Sequence, residues 1–221
     1  MGFDVRPMEL PDFSQLAEIE KEAFPTSWPP TPFRQEYQNR LARYLVACEG
    51  ELTQLPLEAL GAPADEGSPM ARLLRGVKGL FSKDDPPVQD PRKLVGFIGI
   101  WFMVDEAHVT SIAVRESYRG RGLGEVVLIA GIELAMARGS KEVTLETRVS
   151  NNVAQALYEK YGFRRVGIRK GYYTDNREDA LIMTTEVLSS PSYQERFRQL
   201  CQAHEKRWGR SARDLGTGEA S

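Results

Sequence analysis

The sequence predicts an α/β domain, a central sheet flanked by helices. Short apolar, β-branched runs alternate along the chain with segments whose apolar residues recur at helical spacing. Two of those runs, residues 94–103 and 107–114, are joined by "VDEA", as a β-hairpin requires. Directly after the second comes "SYRGRGLGEVV", a glycine-rich corner that opens into an apolar helix.

Taken in order, residues 3–6 read as a first strand closed by Pro7. Residues 11–24 read as an amphipathic helix carrying Phe13, Leu16, Ile19, Ala23 and Phe24 on one stripe. "PTSWPPTPF" interrupts the chain, and Thr31 with Pro32 suits the cap and first turn of a helix to about residue 41. A strand follows over 43–49. From residue 51 to 93 the texture changes, with six prolines at 56, 63, 69, 86, 87 and 91. Inside this stretch "MARLLRGVKGLF" places Met70, Leu73, Leu74, Val77, Leu80 and Phe81 on a helical stripe with a basic opposite face. The stretch has too few apolar residues for a core of its own and reads as an insertion, one that could contact a partner, cover a site or touch a membrane surface.

Beyond the hairpin the pattern predicts a helix over 122–138, a strand over 142–148, a helix over 152–161 capped by "SNN", and strands over 163–169 and 179–188. After Pro191, Tyr193, Phe197, Leu200, His204 and Trp208 mark a last amphipathic helix, and "GRSARDLGTGEAS" is expected to fray. The organisation expected is therefore one domain over 1–190 containing the 51–93 insertion, then a C-terminal helix and disordered tail over 191–221.

Composition narrows the function. The chain has 221 residues and a formal net charge of −2, which argues against a nucleic-acid polymer or an anionic membrane as main partner. Two cysteines cannot build a disulfide framework, and with two histidines a zinc site or a Ser-His-Asp arrangement has few ways to assemble. No run of about 18 apolar residues is present, and no signal-type stretch opens the chain, so a soluble cytoplasmic protein without a bound metal is expected.

The glycine loop is the strongest local signal. At a strand-to-helix corner several N–H groups lack helical partners and the dipole is positive, so an anion can sit there. Glycines bare the backbone, and Arg119 and Arg121 add charge. The dinucleotide pattern GxGxxG fails because Glu125 occupies its third glycine position, and GxxxxGK[ST] fails for want of a lysine. On spacing alone the loop is either an anion cradle or a sharp corner.

Arg119-Gly120-Arg121-Gly122-Leu123-Gly124 resembles the R/Q-x-x-G-x-G/A signature of the GNAT family of N-acetyltransferases. "LETRVSNNVAQALYEKYGF" and "GYYTDNREDALIM" are similar to the RimI-type branch, which acetylates ribosomal-protein alanines. The resemblance covers residues 3–50 and 94–188. It implies a single GNAT-type domain with a mixed, mostly antiparallel sheet, and acetyl-coenzyme A as co-substrate. It further implies that Arg119 to Gly124 cradle the pyrophosphate, that Ile112, Ala113 and Val114 pair with the pantetheine arm, and that Asn151 contacts the coenzyme near its reacting end.

Read from its strand, Glu146 is a solvated residue paired with Arg148 on the same face; the resemblance makes it the general base. By helical spacing with Ala154, Leu157 and Tyr161, Tyr158 is a core aromatic; the resemblance makes it the acid that protonates the departing thiolate. The resemblance also puts Phe24, Tyr172 and Tyr173 at the peptide entrance, the tyrosines on the loop between the last two strands. Here the chain reads "FPTSWPP" where the family is more compact. The reaction implied is direct attack by a protein N-terminal α-amine without an acyl-enzyme. At pH 7 an α-amine of pKa about 7.8 is neutral far more often than a lysine near 10.4, a gap of roughly 3.5 kcal/mol in its favour. Two other readings stand beside this one: the same chemistry on lysine, polyamine or another small amine, and a non-catalytic acyl-coenzyme A sensor. Retention of both Glu146 and Tyr158 argues against the sensor.

Overall fold

The computed structural model describes residues 3–24, 29–50 and 92–217. Its strands are β1 (Phe3–Pro7), β2 (Ala42–Glu49), β3 (Leu94–Phe102), β4 (Glu106–Val114), β5 (Glu142–Arg148), β6 (Phe163–Tyr173) and β7 (Glu178–Thr185). The helices are α1 (Phe13–Ala23), α2 (Phe33–Gln38), α3 (Leu123–Ala137), α4 (Asn152–Lys160) and α5 (Pro191–Trp208). One seven-stranded sheet runs in the order β1-β2-β3-β4-β5-β7-β6. Every neighbouring pair is antiparallel except β4 and β5, which α3 connects in parallel. This is the mixed, mostly antiparallel sheet that the resemblance implied.

Both faces of the sheet are covered around β2 and β3. Along β2, Leu45 and Ala47 face the cluster beneath α3, while Tyr44, Val46 and Cys48 face the cluster beneath α1 and α2. That alternation is the period of a strand buried on both sides. Helix α3 buries ten residues, from Leu123 to Ala135, because it is apolar nearly all round.

A fork in the sheet positions the site. The β4–β5 ladder joins Glu106–Val109 to Glu142–Leu145 and ends there. Beyond it β4 stays with β3, and β5 stays with β7. Thr110 causes the parting: Gly99 pairs with Ser111 and Ile100 with Val109, so Thr110 is an extra residue in β4. Such a bulge bends its strand and increases the local twist, turning β4 away from β5.

Three sequence expectations need correction. Helix α2 begins at Phe33 without a Thr31 cap, because Thr31 donates through its amide (2.9 Å) and its hydroxyl to Glu20, and it ends at Gln38, short of residue 41, because Asn39 turns extended (φ −75°, ψ 115°). Tyr172 and Tyr173 end strand β6 rather than sitting on a loop, since that strand continues to a pairing of Tyr173 with Glu178. The tail does not fray through residue 217. Val5 donates to the Ala212 carbonyl at 2.8 Å, Asp214 donates to the Val5 carbonyl at 2.8 Å, and Arg213 grips both carboxylate oxygens of Glu133. Strand β1 is a sheet edge, and its unpaired backbone groups are what the tail satisfies. The 51–93 insertion lies outside the described residues up to Pro91. Among the described residues no helix is long and apolar enough to cross a membrane.

Candidate active site

A cleft of about 730 Å³ opens at the fork. Thr110, Ser111 and Ile112 from β4 form one wall, and Glu146, Thr147 and Arg148 from β5 the other. Asn151 and Tyr158 close it from α4, Tyr172 and Tyr173 from β6, and Phe24 with Pro29 to Pro32 from the far side. Neither Cys48 nor Cys201 lines it.

Glu146 is held firmly there, its side chain only 7% exposed. One carboxylate oxygen lies 3.1 Å from His108 Nε2 and the other 3.0 Å from Arg169 Nε. Burial alone would raise this carboxyl, but the His108 hydrogen bond and the charges of His108 and Arg169 outweigh it and hold the group below its ordinary value. The Glu146 hydrogen bond, opposed by burial, conversely lifts His108 above the usual imidazole value. Arg148, the partner expected from the strand pattern, is engaged elsewhere. It binds Asp175 at 2.9 Å and Glu178 at 3.1 Å, and its guanidinium stacks 3.9 Å from the Tyr173 ring centroid.

Tyr158 fits both readings of its helical stripe. The residue is 9% exposed and packs on Phe163, yet it borders the cleft. Burial pushes its phenol up to about 12, so it stays protonated at neutral pH. Asn151 caps α4 through its side-chain oxygen, which accepts from the Ala154 amide at 3.1 Å. Tyr172 and Tyr173 meet edge to face at 5.3 Å, and Arg169 lies over Tyr172.

The glycine loop sits one step along the fork and is not part of the cleft lining. Gly122 precedes α3 with φ 77°, a left-handed conformation that favours glycine. A β-carbon on Gly124 would lie 4.0 Å from Val114 and 3.9 Å from Leu157, so the loop adjoins the end of β4 and the helix bearing Tyr158. Ile112 lines the cleft, whereas Ala113 turns to the cluster beneath α1.

Residues 77–163 match the Acetyltransferase (GNAT) family. A "Putative [ribosomal protein bS18]-alanine N-acetyltransferase" of Bacillus subtilis is 34% identical over 83% of this chain and 95% of its own length. The chain belongs to the GNAT family. An "N-alpha-acetyltransferase" of Sulfurisphaera tokodaii is 31% identical over 84% of this chain and 93% of its own length. The crystal structure of the ribosomal-protein-S18-alanine N-acetyltransferase from Escherichia coli superposes with a TM-score of 0.59 at 26% identity, covering 84% of this chain and 94% of that one.

As a GNAT enzyme the protein is an acetyl-coenzyme A-dependent acetyltransferase, and the residues present suit that co-substrate. The parted end of β4 offers backbone groups that β5 does not take. The Ser111 hydroxyl is buried there without a partner among the described residues. The first N–H groups of α3, following two glycines of positive φ, suit a pyrophosphate.

Sequence reasoning missed His108 and Arg169. The parallel register sets His108 opposite Thr144, two residues before Glu146, so alternation puts His108 and Glu146 on the same face of the sheet. Arg169 reaches Glu146 from β6 across the intervening β7. The histidine's place in a strand was readable, but its neighbour across the parallel ladder was not.

The His108–Glu146 pair predicts a stability signature. His108 is raised, so its contribution is complete below the unfolded imidazole value of about 6.5 and fades as pH climbs through the folded value. Glu146 is lowered, so its share is lost as pH falls below about 4.3 toward the folded value. The gap in thermal midpoint between wild type and His108→Gln is expected to be widest near about pH 5–6 and to narrow on both sides. Calorimetry across pH checks this, and a gap independent of pH would refute a charged pair.

Proposed function

We propose that this acetyltransferase modifies the N-terminal α-amine of a protein, of the ribosomal-protein-alanine kind that its relatives' names describe. Glu146 carries the reading: a largely buried carboxylate at the fork, held by His108 and Arg169 and lowered in basicity. Such a carboxylate is a weak base. It suits an amine of pKa about 7.8, often neutral already, far better than a lysine near 10.4.

The roles follow from position. Acetyl-coenzyme A supplies an activated acetyl thioester when bound. Ile112 to Val114 pair with its pantetheine arm through backbone that β5 leaves free, and Arg119 to Gly124 hold its pyrophosphate. Asn151, at the start of α4, borders the reacting end. Phe24, Tyr172 and Tyr173 line the approach of the peptide. Glu146 takes the proton of the attacking amine, directly or through one water, and Tyr158 presents its hydroxyl to the departing sulfur. Because burial keeps Tyr158 protonated, that donor is in place throughout the working pH range.

Incubation with acetyl-coenzyme A and peptides beginning Ala-Arg, beginning Met, or offering only a lysine amine tests the acceptor by mass. Acetylation on the α-amine is expected, and its absence from every α-amine removes the proposal. Tyr158→Phe is expected to lower turnover by about 10²-fold, the usual effect of removing one donor to a developing anion. Steady-state kinetics check it; full activity in this variant would dismiss the tyrosine while leaving the acceptor class intact.

A further inference from the structure

The loop read above as the pyrophosphate cradle is held from outside by the C-terminal helix α5. Buried His204 places Nε2 3.1 Å from the carbonyl oxygen of Gly122. A carbonyl only accepts, so the ring hydrogen of this contact lies on Nε2. The same carbonyl accepts the Val126 amide at 3.0 Å, the first turn of α3. One helical turn beyond His204, Trp208 lies so close to Gly122 that a β-carbon there would fall 2.7–2.8 Å from three indole atoms. Gly122 is therefore required twice, by its positive φ and by the ring against it.

Two further ties run between α5 with its tail and the same helix. Glu125 in the first turn of α3 accepts from the Tyr161 hydroxyl at 2.6 Å, and the Tyr193 hydroxyl on α5 donates to the Tyr161 carbonyl at 3.1 Å. Farther along, Arg213 binds Glu133 at 2.8 and 2.9 Å. The first of these ties holds the first turn of α3 through the Glu125 side chain and the second holds its body, whereas His204 and Trp208 act on Gly122, the residue that sets where the free N–H groups point. A glycine at a loop corner otherwise samples both signs of φ, and an anion must pay for ordering it on binding.

We propose that His204 and Trp208 are positioning residues for the coenzyme: they lock Gly122, and through it the first turn of α3, in the conformation that receives the pyrophosphate. The proposal rests on the cradle reading of Arg119 to Gly124. On this view α5, which lies outside the stretch resembling the family, is part of the coenzyme-binding apparatus.

Calorimetric titration of acetyl-coenzyme A into the full chain tests it, alongside steady-state kinetics and thermal midpoints. His204→Ala, losing one hydrogen bond, is expected to weaken coenzyme binding roughly three- to tenfold. KM for acetyl-coenzyme A rises with it while kcat barely moves, and His204→Gln, which can still present an N–H, recovers most of the affinity. A His204→Ala protein with a lowered thermal midpoint but wild-type affinity would overturn the proposal, since the contact would then serve stability alone. If His204→Ala does not fold, Trp208→Leu reads the same constant, and unchanged affinity there is equally decisive. Gly124→Asp, titrated in parallel, separates the two readings: if it binds as wild type does, the cradle itself fails, whereas weak binding there with normal binding in both α5 variants sinks only the brace.

Discussion

Glu146→Gln is expected to reduce α-amine acetylation by about 10²- to 10⁴-fold in turnover, the range that a positioned acid or base supplies. That loss corresponds to roughly 3–5 kcal/mol of transition-state stabilisation. The amide keeps the shape of the carboxyl and can still accept from His108 or Arg169, so the cleft is preserved. What it loses is the capacity to take a proton, which no other carboxylate bordering the cleft among the described residues duplicates: Asp175 is bound to Arg148, and Glu36 accepts the Trp101 indole N–H at 2.6 Å. The change also leaves His108 and Arg169 without their shared anion, so some loss of stability accompanies it. Thermal midpoints must therefore be measured beside the kinetics, at a temperature where both proteins are folded. KM for acetyl-coenzyme A is expected to stay near wild type, because the loop proposed to hold the pyrophosphate is untouched. A folded Glu146→Gln enzyme of full turnover would show that the amine loses its proton to solvent, and the assigned base would fall.

Gly124→Asp is expected to weaken acetyl-coenzyme A binding by about a hundredfold or more, the effect of setting like charges together in a binding site. The protein should nonetheless fold. Among the described residues, a β-carbon at this position meets Leu157 at 3.9 Å and Val114 at 4.0 Å, ordinary contact distances. An acidic residue in the first turn of a helix also interacts favourably with the helix dipole, by about 0.3–1 kcal/mol. Stability and affinity are thus expected to move in opposite directions. Few alternative explanations produce that pair of results. Titration of acetyl-coenzyme A with a parallel thermal melt reads both, and unchanged binding would mean that the first turn of α3 does not face the coenzyme's phosphates.

Much of this was legible in the residues. The hairpin of β3 and β4, the buried helix after the glycine loop, and the cap of α4 by Asn151 all declare themselves through period and capping chemistry. Element ends were less so. Thr31 reads as a cap until Glu20, eleven residues earlier, takes both its donors. Residues 209–217 read as polar and glycine-rich, and their order depends on the open edge of β1 at the other end of the chain.

The sequence by itself determined where the groups lie to which the resemblance assigns roles: a bare-backbone turn opening α3, a carboxylate on β5, a tyrosine on α4. It could do so because each is set by local pattern, glycine for a left-handed corner, alternation for a strand, spacing of three and four for a helix. Only the tertiary structure decided how those groups are tuned. His108 meets Glu146 because β4 and β5 run parallel before they part, and Arg169 meets it because β7 inserts between β5 and β6. His204 and Trp208 meet Gly122 because α5 packs back beside α3. None of these meetings lies within the reach of a periodic signal. They depend on which strand pairs with which and which helix faces which, and those choices are made by burying the whole core at once.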